Sequence, residues 1–504
     1  MSDQSRSLPS QPNLRYLKLE AKRRLAAGEF ATLHDAQLAI AREHAQPSWA
    51  ALKELISAQA SQAGHALTQV RWVVSRFQGA DTPGWAAPAD SELRDHFDDH
   101  FLSLVPPSTI VTTLTSVAEQ LGEELVITRE TPEGVSARIA DMQLEAAVDP
   151  GPPHRLTGLR LYPVGKRVTD TRVAAPSTHM SGEVPEAAAK VVAESFSELG
   201  LVGLTLAGAP EGTPGGHSPV WTAARGWADL DRAEVLREDH RFPAYSVTKL
   251  ITSTAVLRLA ADGRIGLDDP ANEHLRTIRL ADGTVTVREL LSHTGGVDSP
   301  SELFADTVPD LGTLTGPVVG CGGPRGTFAY SNGGYAMLGQ LVADVTGSSY
   351  PEAATRMVLR PLGMTSSSFP ASWPGTGAIT GYHLADDGSF EPAPVQICAI
   401  PAAGGLWATG ADLVRFGLAW ASLLPGELAR EALRPHAARD STGAQVGLGW
   451  LLNQPKDVCG HAGGGHGAAT SLIVQLSTGQ TSVAMTNRLV PIEPVNVRLI
   501  RPIT

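Results

Sequence analysis

A serine and a lysine three residues apart form the most chemically suggestive pair in the chain. The segment Ser246-Val247-Thr248-Lys249 lies at a predicted helix start. One helical turn separates the two residues, so the lysine amine can reach the serine hydroxyl on the same face. The unpaired N–H groups at a helix start also favour the negative charge that develops when a serine attacks a carbonyl. The spacing therefore indicates a nucleophilic Ser246 and acyl transfer.

Two more short motifs follow in the order that a serine acyl-transfer site requires. Tyr330-Ser331-Asn332 lies downstream, and His461-Ala462-Gly463 lies near the C-terminus. A buried ammonium eases ionisation of a neighbouring phenol while desolvation opposes both charges, so Lys249 and Tyr330 are expected to act as one unit. We assign Tyr330 as general base and later general acid, Lys249 as its electrostatic partner, and Asn332 as an amide that orients substrate or Lys249. Which of Tyr330 and Lys249 is the acylation base stays open.

The composition is that of an ordinary globular protein with room for two or three domains. The chain has 504 residues, and its formal net charge of -12 argues against a nucleic-acid partner. Residues 1–13 are polar and no apolar run is long enough to cross a bilayer, so we expect a cytoplasmic protein without a membrane partner. The widely spaced Cys321, Cys398 and Cys459 are expected to be reduced thiols.

The pattern of apolar residues divides the chain into three predicted domains. Residues 1–62 have helical periodicity, with Ser48 placed to cap a helix, and are predicted to form a small helical module. Residues 66–165 begin with a helix and continue as four alternating strand patterns, which indicates an α+β accessory domain. Residues 166–186 are predicted to be a linker, because their composition turns to small and polar residues without periodicity. Residues 187–504 form the predicted chemical domain.

The strands of the chemical domain are split between the two ends of its sequence. Strand patterns lie at 202–207, 220–224, 472–475 and 482–485. A helix-rich stretch from about 268 to 425 separates the first pair from the second. The pattern predicts an α+β fold, in which a sheet with helices carries an inserted α-subdomain and the active cleft lies between the two.

The three motifs together resemble those of the class C β-lactamase-like serine hydrolases, a group that also holds D-alanyl-D-alanine carboxypeptidases, D-aminopeptidases and esterases. Other segments that look like this family are Leu290-Leu291-Ser292-His293-Thr294-Gly295-Gly296, Pro361-Leu362-Gly363-Met364-Thr365, Pro401-Ala402-Ala403-Gly404-Gly405-Leu406 and Gly447-Leu448-Gly449-Trp450. The resemblance implies an antiparallel sheet flanked by helices with an inserted all-α subdomain. It also implies Ser246 as the acylated nucleophile, Lys249 and Tyr330 as proton carriers, and an oxyanion hole from the N–H groups of Ser246 and Gly464.

The third motif departs from the Lys-Thr-Gly or Lys-Ser-Gly that β-lactamases and penicillin-binding enzymes usually carry. His461 and Ala462 lack the permanent cation and the hydroxyl that would hold a substrate carboxylate. Histidine here is similar to the esterase- and peptidase-like members, which weakens the expectation of antibiotic hydrolysis but not that of acyl transfer. His461 is expected either to contact substrate or to support its loop. Gly463 and Gly464 are expected to let a strand approach the substrate closely.

The two N-terminal regions also resemble known modules, to which we attach no chemistry. Residues 66–165 are similar to a cystatin-like or steroid-isomerase-like domain, and residues 14–56 resemble a helical module found ahead of ankyrin repeats. His96 and His100 are spaced to hold a metal from one helix face, but no third ligand is evident and a solvated face is the simpler interpretation. No metal and no organic cofactor are expected.

The sequence therefore predicts a serine hydrolase that acts on an ester, amide or β-lactam-like carbonyl of a small molecule through a Ser246 acyl-enzyme. The alternative is a catalytically weak binding or regulatory protein that keeps the fold and recognises a protein partner through its N-terminal regions. Intact Ser246, Lys249 and Tyr330 favour the enzyme. His293 and His466 are expected to be structural residues of turns and loops.

Overall fold

The computed structural model describes residues 14–500, leaving out 45, 81, 83–84, 106, 116, 122–123, 132–133, 140–141, 150, 164–167, 174–177, 210–219, 386 and 440–443. The chain divides into two compact units, residues 1–164 and residues 165–504, and each is described by itself. Within the described ranges, no helix combines the length and the apolar character needed to cross a bilayer.

Helices precede strands in the N-terminal unit. Its helices are α1 (Leu14–Ala26), α2 (Leu33–Glu43), α3 (Trp49–Phe77), α4 (Asp90–His96), α5 (Asp99–Leu104), α6 (Pro107–Thr115) and α7 (Ala118–Leu121). Its strands are β1 (Leu125–Thr131), β2 (Gly134–Ile139), β3 (Met142–Val148) and β4 (Leu156–Pro163). The four strands form an antiparallel meander in chain order, as the alternating pattern predicts.

The longest helix of this unit begins at the predicted cap. The Ser48 hydroxyl accepts a hydrogen bond from the Ala51 N–H at 3.1 Å, which satisfies a free donor of the first turn of α3. The helix then runs without a break to Phe77, so residues 62–66, where the sequence places a domain boundary, lie inside it. Val70 and Phe77 of α3 are fully buried in the core that helix and meander share.

The C-terminal unit contains the chemical domain. Its helices are α8 (Glu186–Glu198), α9 (Thr248–Ala261), α10 (Val287–Leu291), α11 (Leu311–Thr315), α12 (Asn332–Thr346), α13 (Tyr350–Ala354), α14 (Pro401–Gly404), α15 (Gly410–Ala419), α16 (Gly426–Ala432) and α17 (Glu493–Ile500). Its strands are β5 (His179–Ser181), β6 (Gly203–Gly208), β7 (Trp221–Asp229), β8 (Glu234–Val235), β9 (Phe242–Pro243), β10 (Arg279–Leu280), β11 (Phe304–Ala305), β12 (Val318–Val319), β13 (Tyr382–Leu384), β14 (Phe390–Pro392), β15 (Ile397–Cys398), β16 (Trp407–Ala408), β17 (Ala437–Ala438), β18 (Gln445–Val446), β19 (Leu451–Asn453), β20 (Val458–Gly465), β21 (Ala468–Gln475) and β22 (Thr481–Thr486).

The main sheet joins the two ends of this unit's sequence. Its strand order is β17-β18-β19-β20-β21-β22-β6-β7-β5, with β8 also pairing to β7, and its pairings are antiparallel. β22 lies between β21 and β6, and Ser482 stands opposite Gly208. The sheet is therefore discontinuous in sequence, as predicted. Its outermost strand β5 falls within the stretch that the sequence assigns to a linker.

Successive residues of a strand point to opposite faces of the sheet. Helices pack against both faces. On one face, α8 and α17 pack through Phe196 and Val495 against strand residues such as Leu206. On the other face, α9 and α15 pack through Ile251 and Phe416 in the larger core. The arrangement is the predicted antiparallel sheet flanked by helices.

The predicted insertion between the two halves of the sheet places the Tyr330-Ser331-Asn332 motif next to Ser246 and Lys249. It holds α10 to α15 together with short strand pairs, such as β13 with β14 and β11 with β15. The Ser331 hydroxyl caps α12 by accepting a hydrogen bond from the Gly334 N–H at 2.8 Å. The start of α12 packs against α9, so Tyr330 and Asn332 come to the same place as Ser246.

Candidate active site

The nucleophile candidate follows a backbone residue in a strained conformation. Ser246 lies in a single 3-10 turn, Tyr245–Val247, that leads directly into α9. Tyr245 has a φ of 44°, in the left-handed region that residues with a side chain rarely adopt. Its hydroxyl donates to the His466 carbonyl at 3.1 Å, and its ring meets Phe304 edge to face. These contacts hold the turn, because strain of this kind persists only where the surroundings fix it.

Lys249 is completely buried and its amine has three hydrogen-bond partners. The Nζ atom lies 3.1 Å from Ser246 Oγ, 2.8 Å from Asn332 Oδ1 and 2.8 Å from the Ala403 carbonyl oxygen. Burial disfavours the ammonium form and lowers the pKa of Lys249 to about 7. A substantial fraction of this lysine is therefore neutral at neutral pH.

Tyr330 contacts the same serine from the other side. Its hydroxyl donates to Ser246 Oγ at 2.8 Å, and Lys249 Nζ lies 4.9 Å from the centre of its ring. The residue as a whole is 43% exposed, and its ring is also in contact with His293 and Lys249. Burial raises the pKa of Tyr330 to about 12, and the hydrogen bond to Ser246 opposes the rise. The phenol form is therefore strongly favoured at neutral pH.

His293 supports Tyr330 from below, a contact that sequence reasoning did not identify. Its ring stacks on Tyr330 with centroids 4.5 Å apart, and its Nδ1 accepts a hydrogen bond from the Ser331 N–H at 3.0 Å. His293 has a φ of 57°, which fits the expected turn position before a pair of glycines. Burial, and next the charge of Lys249, hold the pKa of His293 well below its ordinary value. A neutral imidazole thus fixes both the ring and the backbone of the second motif.

The third motif lies on β20, beside the serine. β20 pairs with β21 along its length, whereas β19 pairs with it only as far as Gly460. A Cβ added to Gly463 would lie 2.4 Å from the Ala244 carbonyl oxygen and 2.7 Å from Ser246 N. Only glycine lets the strand approach the serine this closely, because real Cβ atoms do not come within 3.0 Å of such atoms.

His461 lies on β20 two residues before Gly463, and its imidazole is neutral. Its Nδ1 donates to the Ala462 carbonyl at 2.6 Å, because a carbonyl oxygen can only accept. Its Nε2 is buried and, within the described part of the chain, lacks a hydrogen-bond partner. Burial, followed by the charge of Lys249, lowers the pKa of His461 to about 3. The third motif therefore presents an acceptor where a lysine would present a cation.

A cleft of about 440 Å³ opens beside the serine. It is lined by Ser246, Ala462, Gly463, Gly464, Ala469, Leu489, Val490, Pro491, Ile492 and Glu493. Its volume lies within the range of small-molecule sites, and its walls combine an apolar surface with the Ser246 side chain. Gly464 shares the cleft with Ser246, and the side chain of Leu489 lies against the position that a Gly464 Cβ would take.

The structure brings together the residues that the sequence singled out for chemistry. Ser246, Lys249, Tyr330 and Asn332 are joined by hydrogen bonds, and Gly463 touches the turn that carries Ser246. The sequence predicts no role for the Ala403 carbonyl or for residues 489–493, and it predicts only a structural turn position for His293. The quoted segments containing Ala403 and His293 were the available signals, but neither shows which atom faces the lysine.

The metal hypothesis weighed for the N-terminal unit finds no support in the described residues. His96 Nδ1 is hydrogen-bonded to Gln69 Oε1 at 2.8 Å, and its ring stacks on Trp72 with centroids 3.6 Å apart. The side chain of His100 lies outside the described residues. Across the described ranges, no three His, Cys, Asp or Glu side chains are grouped so as to hold a metal ion.

The fold and the hydrogen-bonded serine define a class of protein. The beta-lactamase family model matches residues 207–501, which is more than half of the chain and includes every residue of the site described above. The chain therefore belongs to the beta-lactamase family, whose members are serine hydrolases that include esterases, peptidases and amidases.

Individual relatives match shorter parts of the chain. Protein flp of Staphylococcus aureus (strain MRSA252) is 31% identical over 156 residues, covering 29% of this chain and 31% of that protein. Penicillin-binding protein 4 of Amycolatopsis lactamdurans is 31% identical over 198 residues, covering 35% of this chain and 50% of that protein. The chain thus spans a third to a half of the length of these curated relatives.

A solved structure shows the same fold. The octameric penicillin-binding protein homologue from Pyrococcus abyssi superposes with a TM-score of 0.53 at 20% sequence identity. The match covers 62% of this chain and 76% of that chain. At this identity the comparison establishes a shared architecture, and substrate must be argued from the residues of the site.

Proposed function

We propose that the chain is a serine hydrolase that cleaves an ester or amide through an acyl-enzyme on Ser246. The observation that carries the proposal is the continuous hydrogen-bond chain from Tyr330 through Ser246 to Lys249 and on to Asn332 and Ala403. A serine hydroxyl is a weak nucleophile unless a base takes its proton. Lys249 and Tyr330 both lie within hydrogen-bonding distance of Ser246 Oγ, so one can act as the base and the other as the acid.

The directions of the hydrogen bonds favour Lys249 as the base. Asn332 Oδ1 and the Ala403 carbonyl can only accept, so a neutral lysine donates its two hydrogens to them. Its lone pair is then left for the Ser246 hydroxyl. Tyr330, which remains a phenol, donates to the same serine oxygen. This division of roles differs from the assignment of Tyr330 as base that the sequence suggests, and the opposite pKa shifts of the two groups support it.

The proposed reaction conserves protons in two steps. In acylation, Ser246 Oγ bonds to the carbonyl carbon, its proton passes to Lys249 Nζ, and Tyr330 protonates the leaving atom as the bond to it breaks. In deacylation, water gives a proton to the Tyr330 phenolate and attacks the ester carbon, while Ser246 Oγ leaves with the proton from Lys249. We propose that the N–H groups of Ser246 and Gly464 stabilise the oxyanion in both steps.

The third motif supports a substrate without a carboxylate at that position. His461 is neutral and Ala462 has no hydroxyl, so the usual cation and donor for a β-lactam carboxylate are absent from this motif. We therefore propose that the substrate is an ester or amide and that β-lactams are poor substrates. His461 Nε2 is buried and His461 does not line the cleft, so the imidazole offers a substrate no charge.

A fluorophosphonate probe tests the proposal directly, because it reacts only with an activated serine. We expect mass spectrometry to find one adduct, on Ser246, that is absent in Ser246→Ala. Lys249→Met and Tyr330→Phe should slow labelling by about 100-fold or more, since each removes a proton carrier. Tyr382→Phe is the matched control, because its hydroxyl bonds to the Leu230 N–H away from the site.

The control should label at the wild-type rate. Folded wild-type protein that forms no adduct would contradict the proposal and would favour the alternative of a binding or regulatory protein with this fold.

A further inference from the structure

The cleft beside Ser246 has one charged wall, which the three motifs do not explain. We propose that Glu493 binds a positively charged group of the substrate, so that the enzyme selects esters or amides that carry a protonated amine or a quaternary ammonium. This inference rests on the proposed function, because it names the substrate class of the same site.

Glu493 lies in the first turn of α17 and lines the same cleft as the nucleophile. Among the described residues that line this cleft, it alone bears a formal charge. Its side chain is exposed, and in the described part of the chain no cation is paired with its carboxylate. Nearby Arg498 is instead paired with Glu194 and Glu198. The carboxylate is therefore free to bind a cationic ligand.

The position of Glu493 also weakens anion binding at this end of the cleft. A helix start favours anions through its free N–H groups, and Glu493 already places a negative charge on the first turn of α17. A substrate carboxylate here would be repelled by that charge. Glu427 occupies the equivalent first turn of α16, is also exposed, and does not line the cleft. It provides a matched residue without access to substrate.

The cations of the site do not cancel this charge. Lys249 is buried behind Ser246 with its amine bonded to protein atoms, and burial lowers its pKa to about 7. His461 is neutral. The charge of Arg439 helps to lower the pKa values of Tyr330 and His461, but Arg439 is not a lining residue. The lining itself is therefore anionic.

The segment that precedes Glu493 adds apolar side chains to the lining of the cleft. They belong to Leu489, Val490, Pro491 and Ile492, and Leu489 is 55% exposed. An apolar surface next to an unpaired carboxylate suits an alkyl group that ends in a cation. The expected substrate thus carries an alkyl group and a positive charge in addition to the reacting carbonyl.

The test uses esters that differ only in charge. One pair is a choline ester and the 3,3-dimethylbutyl ester of the same acid, with the charge on the alcohol side. The other is a betaine ester and the matching 3,3-dimethylbutanoate ester, with the charge on the acyl side. Binding is measured by calorimetry on Ser246→Ala protein, which does not turn the esters over, and kcat/KM is measured on protein with intact Ser246.

We expect the cationic member of one pair to bind about 3–10-fold more tightly to Ser246→Ala protein, and its kcat/KM to fall by a similar factor in Glu493→Gln while that of its neutral partner is unchanged. The two members are compared with each other by binding alone, because the ammonium of a betaine ester also activates its carbonyl. Glu493→Gln should abolish the difference in binding, and Glu493→Lys should reverse it. Glu427→Gln should leave it unchanged.

Equal binding of both members in both pairs overturns the inference, as does a preference that survives in Glu493→Gln. The proposed function fails separately, if Ser246→Ala protein binds the cationic ester selectively but wild-type protein neither cleaves it nor reacts with the fluorophosphonate.

Discussion

Burial gives Lys249 the pKa that the proposed role of general base requires. In water its ammonium would hold its proton near neutral pH and could not accept another. In the protein the loss of water lowers its pKa to about 7, and two carbonyl oxygens fix its hydrogens. The same burial raises the pKa of Tyr330 to about 12 and thereby keeps its proton available for the leaving group. Desolvation thus shifts the pKa values of Lys249 and Tyr330 in opposite directions, as a base and an acid in one site require.

The division of roles predicts a pH profile. If neutral Lys249 is the base, kcat/KM for an uncharged ester should rise about tenfold per pH unit below about 7 and level off above it. The sign follows because deprotonation creates the active form. Steady-state rates from pH 5 to 9 measure it, and His461→Gln should keep the inflection, since the low pKa of His461 leaves it neutral throughout.

Two results would contradict this assignment. Loss of the inflection in His461→Gln would show that the histidine titrates. An inflection well above pH 7 that vanishes in Tyr330→Phe would return the role of base to the tyrosine.

At the scale of elements, the site is made where the start of one helix, the cap of another and the free edge of a strand meet. Ser246 leads into α9, Tyr330 precedes the cap of α12, and β20 passes beside the serine at Gly463. The short distance between Gly463 and the Ser246 turn sets how far β20 lies from the serine. A side chain at Gly463 has no room, because both the Ala244 carbonyl and Ser246 N are backbone atoms that cannot rotate away.

Gly463→Ala should therefore abolish labelling and turnover by moving the strand or the serine turn. We expect a loss of at least about 100-fold in kcat/KM, since displacements of about 1 Å at a reacting group have effects of this size. Gly158→Ala is the control, because it is also a strand glycine but its added Cβ would meet only the Ala147 Cβ at 3.6 Å. Wild-type activity in Gly463→Ala would show that the strand does not set the geometry of the site.

The elements were largely predictable, whereas the contacts between distant loops were not. Alternation of apolar residues predicts the main strands, and Ser48 predicts the start of α3, because both signals are local. The Ala403 carbonyl reaches Lys249 from far along the chain, and a backbone acceptor leaves no signature in residue type. Glu493 resembles any first-turn glutamate in sequence. Its place in the cleft depends on how the segment after β22 folds back.

For the whole molecule, the buried Lys249 is a source of instability. The unfolded chain holds a proton on Lys249 up to its ordinary pKa of 10.5, whereas the folded chain releases it at about 7. Between these values the unfolded state binds more protons, so this residue makes the protein less stable as the pH falls from 10.5 to 7. On the proposed mechanism, the protein loses some stability in order to keep a neutral amine as its base.

Lys249→Met should accordingly stabilise the protein while inactivating it. We expect a gain in the free energy of unfolding of roughly 1–3 kcal/mol at pH 7, after the lost hydrogen bonds are set against the removed desolvation cost. Denaturant titrations at pH 7 and pH 10 measure it, and the gain should shrink at the higher pH. A change in unfolding free energy of the same size at both pH values would contradict the lowered pKa of Lys249.

The position of β22 also sets an order of events during synthesis. Gly208 of β6 leaves the ribosome long before Ser482, its partner in the sheet, and at ordinary translation rates the interval is of the order of tens of seconds. Throughout that interval the edge of β6 that pairs with β22 has no partner. Ser246 has already been synthesised, whereas β20 has not. A nascent chain thus carries Ser246 without the strand that completes the candidate site. On the proposed function, hydrolytic activity should appear only after β20, β21 and β22 have been synthesised.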